Sequence, residues 1–341
     1  MRMKRFGIFL AAAICVAGCG APSNSSTTPS AESANKSETK PTGFSVALLT
    51  PGPTSDAGWS AMAYEGLKAI ESDLGATVNN QQNVSDAQSI KDAMRQYARE
   101  GYKLVFGHGY EYNEPAIEIA KDFPNTIFVS SSGSQTAENV GAFRFKLEEG
   151  FFLAGYVAGS MSKSGKVAMI GGDNVASIKS TFKGFKAGVL AANPKATVLE
   201  TFTGDGQDVA KAKQATQAAI GEGADFVVHQ ANAAAPGVFQ ACKEKGVWAF
   251  GANLDQNADE SGAVLASAVI VAKGAFLSLA KQVKEGTYKG SVSTMGMKDE
   301  AIDFIWNPKL MDKVPAELIK KIVELRDAIK EGKQEVPMDQ F

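Results

Sequence analysis

Residues 44–74 read FSVALLTPGPTSDAGWSAMAYEGLKAIESDL, and this stretch decides the fold. Its first six residues form an apolar run that ends at Pro and Gly, which indicates a buried strand. The apolar residues that follow the loop recur at spacings of 4, 3 and 4, on one face of a helix. They are Ala63, Leu67, Ile70 and Leu74. Strand, loop and helix in this order open a βαβ unit, so the sequence predicts a parallel sheet.

The same alternation continues along the chain in two series. Further strands are expected at 103–106, 125–130, 140–145, 166–170, 197–202, 224–229 and 248–251. Helices of roughly 10–15 residues separate them, which favours two doubly wound lobes of an α/β fold. We expect residues 44–147 to form lobe 1 and residues 148–262 to form lobe 2. Residues 263–341 are expected to return to lobe 1, with strands near the hinge and a closing helix at 316–330.

Composition narrows the range of functions. About 300 residues follow Phe44, which is more than a single hydrophobic core usually stabilises, so two lobes are expected. The formal net charge of −2 favours neither nucleic acid nor an acidic membrane surface as a partner. The two histidines, His108 and His229, have no metal-ligand spacing, so no metal site is predicted. Cys242 lies among apolar residues, which indicates a buried thiol.

The N-terminus indicates export and anchoring. A basic stretch at residues 2–5 precedes an apolar run of about 13 residues, too short to span a membrane. Val16-Ala17-Gly18-Cys19 resembles the lipobox of bacterial lipoproteins, which implies cleavage after residue 18 and lipidation of Cys19. A plain signal peptide with an accidental Cys is the alternative. The composition of residues 20–43 predicts a flexible tether, so segment 19–43 would anchor the protein on the extracytoplasmic face of the cell membrane.

Ligands of open α/β sheets bind outside the carboxyl ends of the strands. The segments that follow the predicted strands are 50–60, 107–113, 130–133, 171–179, 203–208, 230–235 and 251–256. They are rich in Gly, Ser, Asn, Asp and aromatic residues. This composition suits a cleft that holds a small polar molecule with a flat apolar face.

Trp59 is the sharpest candidate, either as a stacking platform for a planar ligand or as a core aromatic. Tyr110 and Tyr112 alternate in another of these loops, so one of the two is expected to face the cleft. The side-chain amides in the loops offer donors and acceptors for a heteroaromatic edge, or simply stabilise the loops. They belong to Asn113, Gln230, Asn232 and Asn253.

Catalytic motifs are lacking in the sequence. It contains no P-loop, dinucleotide fingerprint or Gly-x-Ser-x-Gly elbow. His108 and His229 each end a predicted strand. In that position each histidine is either a general base or, more simply, a residue of the cleft wall. We therefore expect a binding protein without a cofactor.

Together the loops resemble the basic membrane protein family of solute-binding lipoproteins, which includes purine nucleoside receptors of ABC importers. The resemblance covers nearly all of 44–306. Its segments are Asp56-Ala-Gly-Trp-Ser, Ala63-Tyr-Glu-Gly-Leu, Gly109-Tyr, Glu148-Glu-Gly-Phe-Phe-Leu-Ala-Gly-Tyr-Val-Ala-Gly, Gly184-Phe-Lys-Ala-Gly-Val, Asn193-Pro, Gly223-Ala-Asp, Gly237-Val-Phe-Gln-Ala and Gly251-Ala-Asn-Leu-Asp-Gln.

This resemblance implies a type I periplasmic-binding-protein fold, hinge crossovers and a ligand between the lobes. The ligand-binding residues we expect are Thr50, Trp59, Ser60, Tyr110, Glu111, Gln230, Asn232 and Asn253. Thr50 and Asn253 stand where nucleoside-binding members of the family have Asp. Ser60 stands where many members have Asn. Ile270 replaces a Lys of the nucleoside binders, and Gly206 replaces an aromatic residue. These differences favour a free purine base or another flat heterocycle over a nucleoside.

The expected function is therefore the capture of a purine-like solute for an ABC permease. The alternatives are a lipoprotein that presents the solute to a membrane receptor, and an anchored enzyme.

Overall fold

The computed structural model describes residues 41–56 and 58–339, and its elements are numbered in chain order. The strands are β1 (Ser45–Leu49), β2 (Thr77–Gln81), β3 (Leu104–Gly107), β4 (Ile127–Ser131), β5 (Val140–Phe145), β6 (Lys166–Gly171), β7 (Thr197–Phe202), β8 (Phe226–Gln230), β9 (Trp248–Asn253), β10 (Val264–Ile270), β11 (Val292–Met295) and β12 (Ile302–Trp306). The helices are α1 (Trp59–Leu74), α2 (Ala87–Glu100), α3 (Asn113–Ile119), α4 (Leu147–Met161), α5 (Ala176–Ala192), α6 (Val209–Gly221), α7 (Ala235–Lys245), α8 (Ala272–Lys284) and α9 (Ala316–Lys330). Every strand and helix predicted from the sequence is present.

Two sheets organise these elements. The first has the strand order β11-β5-β4-β3-β1-β2, and all its strands run parallel. The second has the order β12-β10-β9-β8-β6-β7 and is parallel except for β12, which is antiparallel to β10. This confirms the predicted α/β fold with two doubly wound lobes.

Both faces of the sheets are buried. In β1, Val46 and Leu48 belong to one apolar cluster, whereas Ala47 and Leu49 belong to another on the opposite face. Successive side chains of a strand point to opposite faces, so a strand covered on both sides needs an unbroken apolar run. That requirement explains why the apolar runs predicted the strands.

Strand β2 was not predicted. Its sequence, Thr-Val-Asn-Asn-Gln, carries no apolar run, and its residues alternate between exposed and half-buried. It lies at the edge of the first sheet, where only one neighbour, β1, pairs with it. A polar strand is stable there because one side of it faces solvent.

The expected return of residues 263–341 to lobe 1 is wrong for β10, β12 and α9. Strands β10 and β12 extend the second sheet beside β9, and α9 packs on α4 of the same lobe. Only α8, which packs on α1, and β11 belong to the first lobe. Strand β10 is buried along its whole length, so it needs a partner on each side, and β9 and β12 supply them.

Helices α4 and α5 pack backbone to backbone. A Cβ added at Gly155 would collide with the carbonyl of Phe185, and one at Gly188 with the carbonyl of Phe152. Glycine at these positions therefore allows the two helices to approach this closely. Cys242 on α7 is fully buried, as predicted, and burial raises the pKa of its thiol to about 12.

The predicted signal peptide at 1–18, the lipidated Cys19 and the tether up to residue 40 lie outside the described residues. Among the residues that the structure does describe, no helix combines the length and the apolar character needed to cross a membrane.

Candidate functional site

The candidate ligand site is a cleft of about 490 Å³ between the two sheets. Each of the seven loops singled out from the sequence contributes residues to its lining. The predicted ligand-binding residues that line it are Trp59, Ser60, Tyr110, Glu111, Gln230, Asn232 and Asn253. The fold therefore brings these side chains together, and their contact with a ligand stays a prediction.

Thr50 does not line the cleft. Its side chain is fully buried at the end of β1, and its hydroxyl donates a hydrogen bond to the carbonyl of Gly52 at 2.8 Å. Its backbone N–H donates to the carbonyl of Gln81 at 3.1 Å. We therefore correct its predicted role. Thr50 stabilises the first loop through these hydrogen bonds and does not line the cleft.

Trp59 is held flat against His108. The two ring centroids lie 3.9 Å apart with an angle of 22° between the planes. The indole Nε1 donates to the carbonyl of His108 at 3.1 Å, which fixes the ring in its own plane. One face of the indole is thus covered by imidazole, and Trp59 also lines the cleft.

His108 serves this arrangement in its neutral form. It is 1% exposed, and burial lowers its pKa to about 3. Its Nε2 lies 2.9 Å from the carbonyl of Trp59, and its Nδ1 lies 3.0 Å from the hydroxyl of Ser131. A carbonyl can only accept, so Nε2 carries the proton and Nδ1 accepts from Ser131. The imidazole packs against Trp59 and is not part of the cleft lining. This position does not support a role as a general base, because a general base must reach the substrate.

The Asp56 carboxylate anchors the start of α1 below Trp59. One of its oxygens accepts from the N–H groups of Gly58 and Ala61, and the other accepts from that of Ser60, all at 2.9 Å. Negative charge is stabilised at a helix N-terminus because the first N–H groups have no partner within the helix. The backbone is therefore held in place on both sides of Trp59, at Gly58 before it and at Ser60 and Ala61 after it.

Tyr110 and Tyr112 face opposite sides, as their alternation predicted. Tyr110 lines the cleft and is 53% exposed. Tyr112 is fully buried, and its hydroxyl donates to the carbonyl of Val84. Asn113 also lies away from the cleft, since its side chain binds the backbone of Ser134 and Gln135.

Three amides form the polar edge of the cleft in the second lobe. The Nδ2 of Asn253 lies 3.4 Å from the side-chain oxygens of Gln230 and Asn232. Its Oδ1 is buried and has no hydrogen-bond partner among the described residues. Asn253 and Asn232 also have positive φ angles of 70° and 44°. Strained backbone and an unsatisfied buried acceptor are typical of sites built for a ligand.

His229 supports the loop after β9. Its Nε2 lies 2.8 Å from Oε1 of Gln256, and this oxygen also accepts from the N–H of Ala252 at 2.9 Å. Burial lowers the pKa of His229 to about 4, so the ring is neutral and Nε2 donates. His229 thus fixes the loop of Asn253 in the second lobe, as His108 fixes Trp59 in the first.

Sequence reasoning missed two of the carboxylates in the cleft. Glu111 was expected in the cleft, but Asp173 and Asp205 in the loops after β6 and β7 were not singled out, and both line it. Burial raises the pKa of Glu111 to about 7, and the charge of Asp173 adds to this effect. Burial also raises the pKa of Asp173, with a contribution from Asp205. Their position after strand ends was the signal that could have found them.

A buried ion pair between β5 and α4 lines the cleft. Arg144 and Glu148 lie in contact, 7% and 2% exposed, and the hydroxyl of Ser180 lies 3.0 Å from the guanidinium. Arg144 also donates to the backbone carbonyl of Asp339, whose N–H donates to Ser180 at 2.8 Å. The C-terminal segment therefore joins β5 of the first sheet to α5 of the second lobe.

Two largely parallel sheets with a cleft at the carboxyl ends of their strands are typical of two-lobed solute-binding proteins. Residues 44–340 match the family described as ABC transporter substrate-binding protein, PnrA-like, and the chain belongs to this family, Bmp. This confirms the resemblance drawn from the loops.

Individual proteins show the same likeness. The chain is 28% identical to a purine-binding protein of Brucella abortus (strain 2308) over 290 residues, covering 84% of this chain and 81% of that protein. It is 28% identical to the transcriptional activator protein med of Bacillus subtilis (strain 168) over 279 residues, covering 82% and 87%. A solved ABC transporter solute-binding protein from Conexibacter woesei DSM 14684 superposes with a TM-score of 0.71 at 27% identity, covering 86% of this chain and 99% of that one.

Family membership settles the broad function. The protein is a substrate-binding protein of an ABC transporter system, with a small-molecule ligand and a permease as partner. It is a binding protein and not an enzyme, as the sequence predicted.

Proposed function

We propose that the protein captures a planar nitrogen heterocycle, a purine base or nucleoside, in the cleft and delivers it to a membrane permease. The supported indole of Trp59 carries this proposal. A ring that is held by stacking on one face and by a hydrogen bond in its plane is already in position before a ligand arrives, so little entropy is lost on binding. A planar ligand gains about 0.5–1.5 kcal/mol from stacking beyond the area that it buries.

The second lobe supplies the polar contacts. Asn253 presents its unpartnered Oδ1, and Gln230 and Asn232 flank it. A purine ligand between the lobes would lie on Trp59 and present its edge to these amides. Ligand bound to both lobes favours the closed arrangement of the hinge, which is the form a permease can distinguish.

Tryptophan fluorescence tests the stacking. The chain has three tryptophans, and Trp306 packs against Phe304 away from the cleft lining. Titration with adenine and adenosine should quench the emission of the protein, and Trp59→Phe should remove most of that quenching. Trp306→Phe is the matched control and should retain it. Quenching that survives in Trp59→Phe would contradict the assignment.

We further propose that lipidated Cys19 holds the protein on the extracytoplasmic face of the cell membrane, with residues 20–43 as the tether. The Cys19→Ser variant should appear in the soluble fraction and bind ligand with unchanged affinity. A variant that still sediments with membranes would contradict the anchor.

A further inference from the structure

The cleft carries an excess of negative charge. The charged residues in its described lining are Asp56, Glu111, Arg144, Glu148, Asp173 and Asp205. Two of these carboxylates already have strong partners: Asp56 accepts three backbone N–H groups, and Glu148 pairs with Arg144. The remaining three, on Glu111, Asp173 and Asp205, line the same cleft, where Asp205 accepts a hydrogen bond from the backbone N–H of Gln207 at 2.7 Å.

These three carboxylates come from opposite sides. Glu111 lies in the first lobe, in the 3₁₀ turn after β3, and its side chain folds over Gly109. Asp173 and Asp205 lie in the second lobe, in the loops after β6 and β7. The charge of Asp173 contributes to the raised pKa of Glu111, and the charge of Asp205 contributes to the raised pKa of Asp173, as expected for like charges that line one cleft. Closing the lobes therefore brings like charges closer together. This is unfavourable unless a positively charged or donor-rich group lies between them.

A second observation points to the same ligand chemistry. Asn253 lines the same cleft and is 2% exposed, and its buried Oδ1 has no hydrogen-bond partner within the part of the chain that the structure describes. Carboxylates and amide oxygens only accept hydrogen bonds. A ligand that satisfies them must bring N–H or O–H donors.

We propose that the cleft selects heterocycles that carry amino groups or positive charge, and rejects relatives that are phosphorylated or ionise to anions. This inference rests on the proposed function, because it names the kind of ring that the site admits. A ligand amine placed among Glu111, Asp173 and Asp205 satisfies acceptors of both lobes and removes the repulsion that opposes closure. A phosphate placed there adds negative charge in a partly buried site, where one such repulsion weakens binding on the order of a hundredfold.

Isothermal titration of the mature protein with two matched ligand pairs tests this. The first pair is 2,6-diaminopurine and xanthine, which differ in amino against oxo groups on one ring. The second pair is adenosine and adenosine monophosphate. The amino compound and the unphosphorylated compound should each bind at least about tenfold more tightly than their counterparts.

Substitutions locate the source of the preference. Asp173→Asn and Asp205→Asn should each reduce both ratios severalfold, and thermal unfolding confirms that each variant is folded. Glu65→Gln makes the same charge change on the exposed face of α1 and should leave both ratios unchanged. Equal affinities within each pair, or ratios unaffected by both Asp variants, would overturn the inference and leave the proposed function standing. Binding of none of the four compounds would refute both.

Discussion

Replacing Glu111 by Gln tests the electrostatics of the cleft in the ligand-free protein. Burial raises the pKa of this carboxyl from 4.5 to about 7. This rise in pKa corresponds to about 3 kcal/mol between the two protonation states. The amide keeps the shape of the side chain and cannot ionise, so it avoids this penalty.

The sign follows from the raised pKa. The folded protein holds the Glu111 proton more tightly than the unfolded chain does, so the contribution to stability is fully present below about pH 4.5 and is lost as the pH rises through 7. Glu111→Gln and the wild type should therefore unfold at similar temperatures near pH 4.5. At pH 8 the variant should unfold about 5 °C higher, since about 3 kcal/mol spread over a chain of this size gives a shift of that order.

Scanning calorimetry at pH 5, 6, 7 and 8 measures this gap, with Glu65→Gln as the control for a surface charge. A gap that stays constant across the series, or that appears equally in the control, would refute the reasoning. With an amino-substituted purine present, the order should reverse at pH 8, because the ionised carboxylate then has a donor to bind and the amide presents a weaker acceptor.

Three other substitutions probe the support of the site and the core. Trp59→Ala should weaken purine binding by about 1–3 kcal/mol in titration calorimetry, and unchanged affinity would mean that the indole only fills the wall. Ser131→Ala removes the donor to Nδ1 of His108 and should lower affinity less than Trp59→Ala does, which a fluorescence titration can measure. Gly188→Ala should lower the free energy of unfolding by about 1–3 kcal/mol in urea titration, because its Cβ meets the carbonyl of Phe152, and a smaller loss would show that α4 can move away.

The sequence identified the loops of the site because parallel strands place all their carboxyl ends at one edge. Trp59 could be singled out because a large aromatic residue in such a loop is either a stacking platform for a planar ligand or part of the core. The support behind it could not be predicted. His108 and Trp59 are 49 residues apart, and only the position of β3 beside β1 brings their rings together.

The parts that sequence reasoning missed or misplaced depend on packing between segments far apart in the chain. An apolar run such as β10 shows that a strand is buried, but it does not say which sheet edge receives it. Asp173 and Asp205 read as ordinary solvated loop residues until the fold sets them opposite Glu111. Thr50 occupies a loop position typical of ligand contacts, yet its hydroxyl is turned to the Gly52 carbonyl.

The two lobes share one strand order, and the two histidines lie at the ends of equivalent strands: His108 directly follows β3, and His229 is the penultimate residue of β8. Both imidazoles are neutral because both are buried, but His108 packs on an indole and His229 binds the Gln256 amide. The same strand order therefore supports an apolar stacking surface, the indole of Trp59, in the first lobe and a set of polar amides around Asn253 in the second. It follows that substitutions behind Trp59 should weaken all planar ligands to a similar extent. Substitutions around Asn253, in contrast, should change which ligand is preferred, because that lobe presents the amides to the edge of the ring.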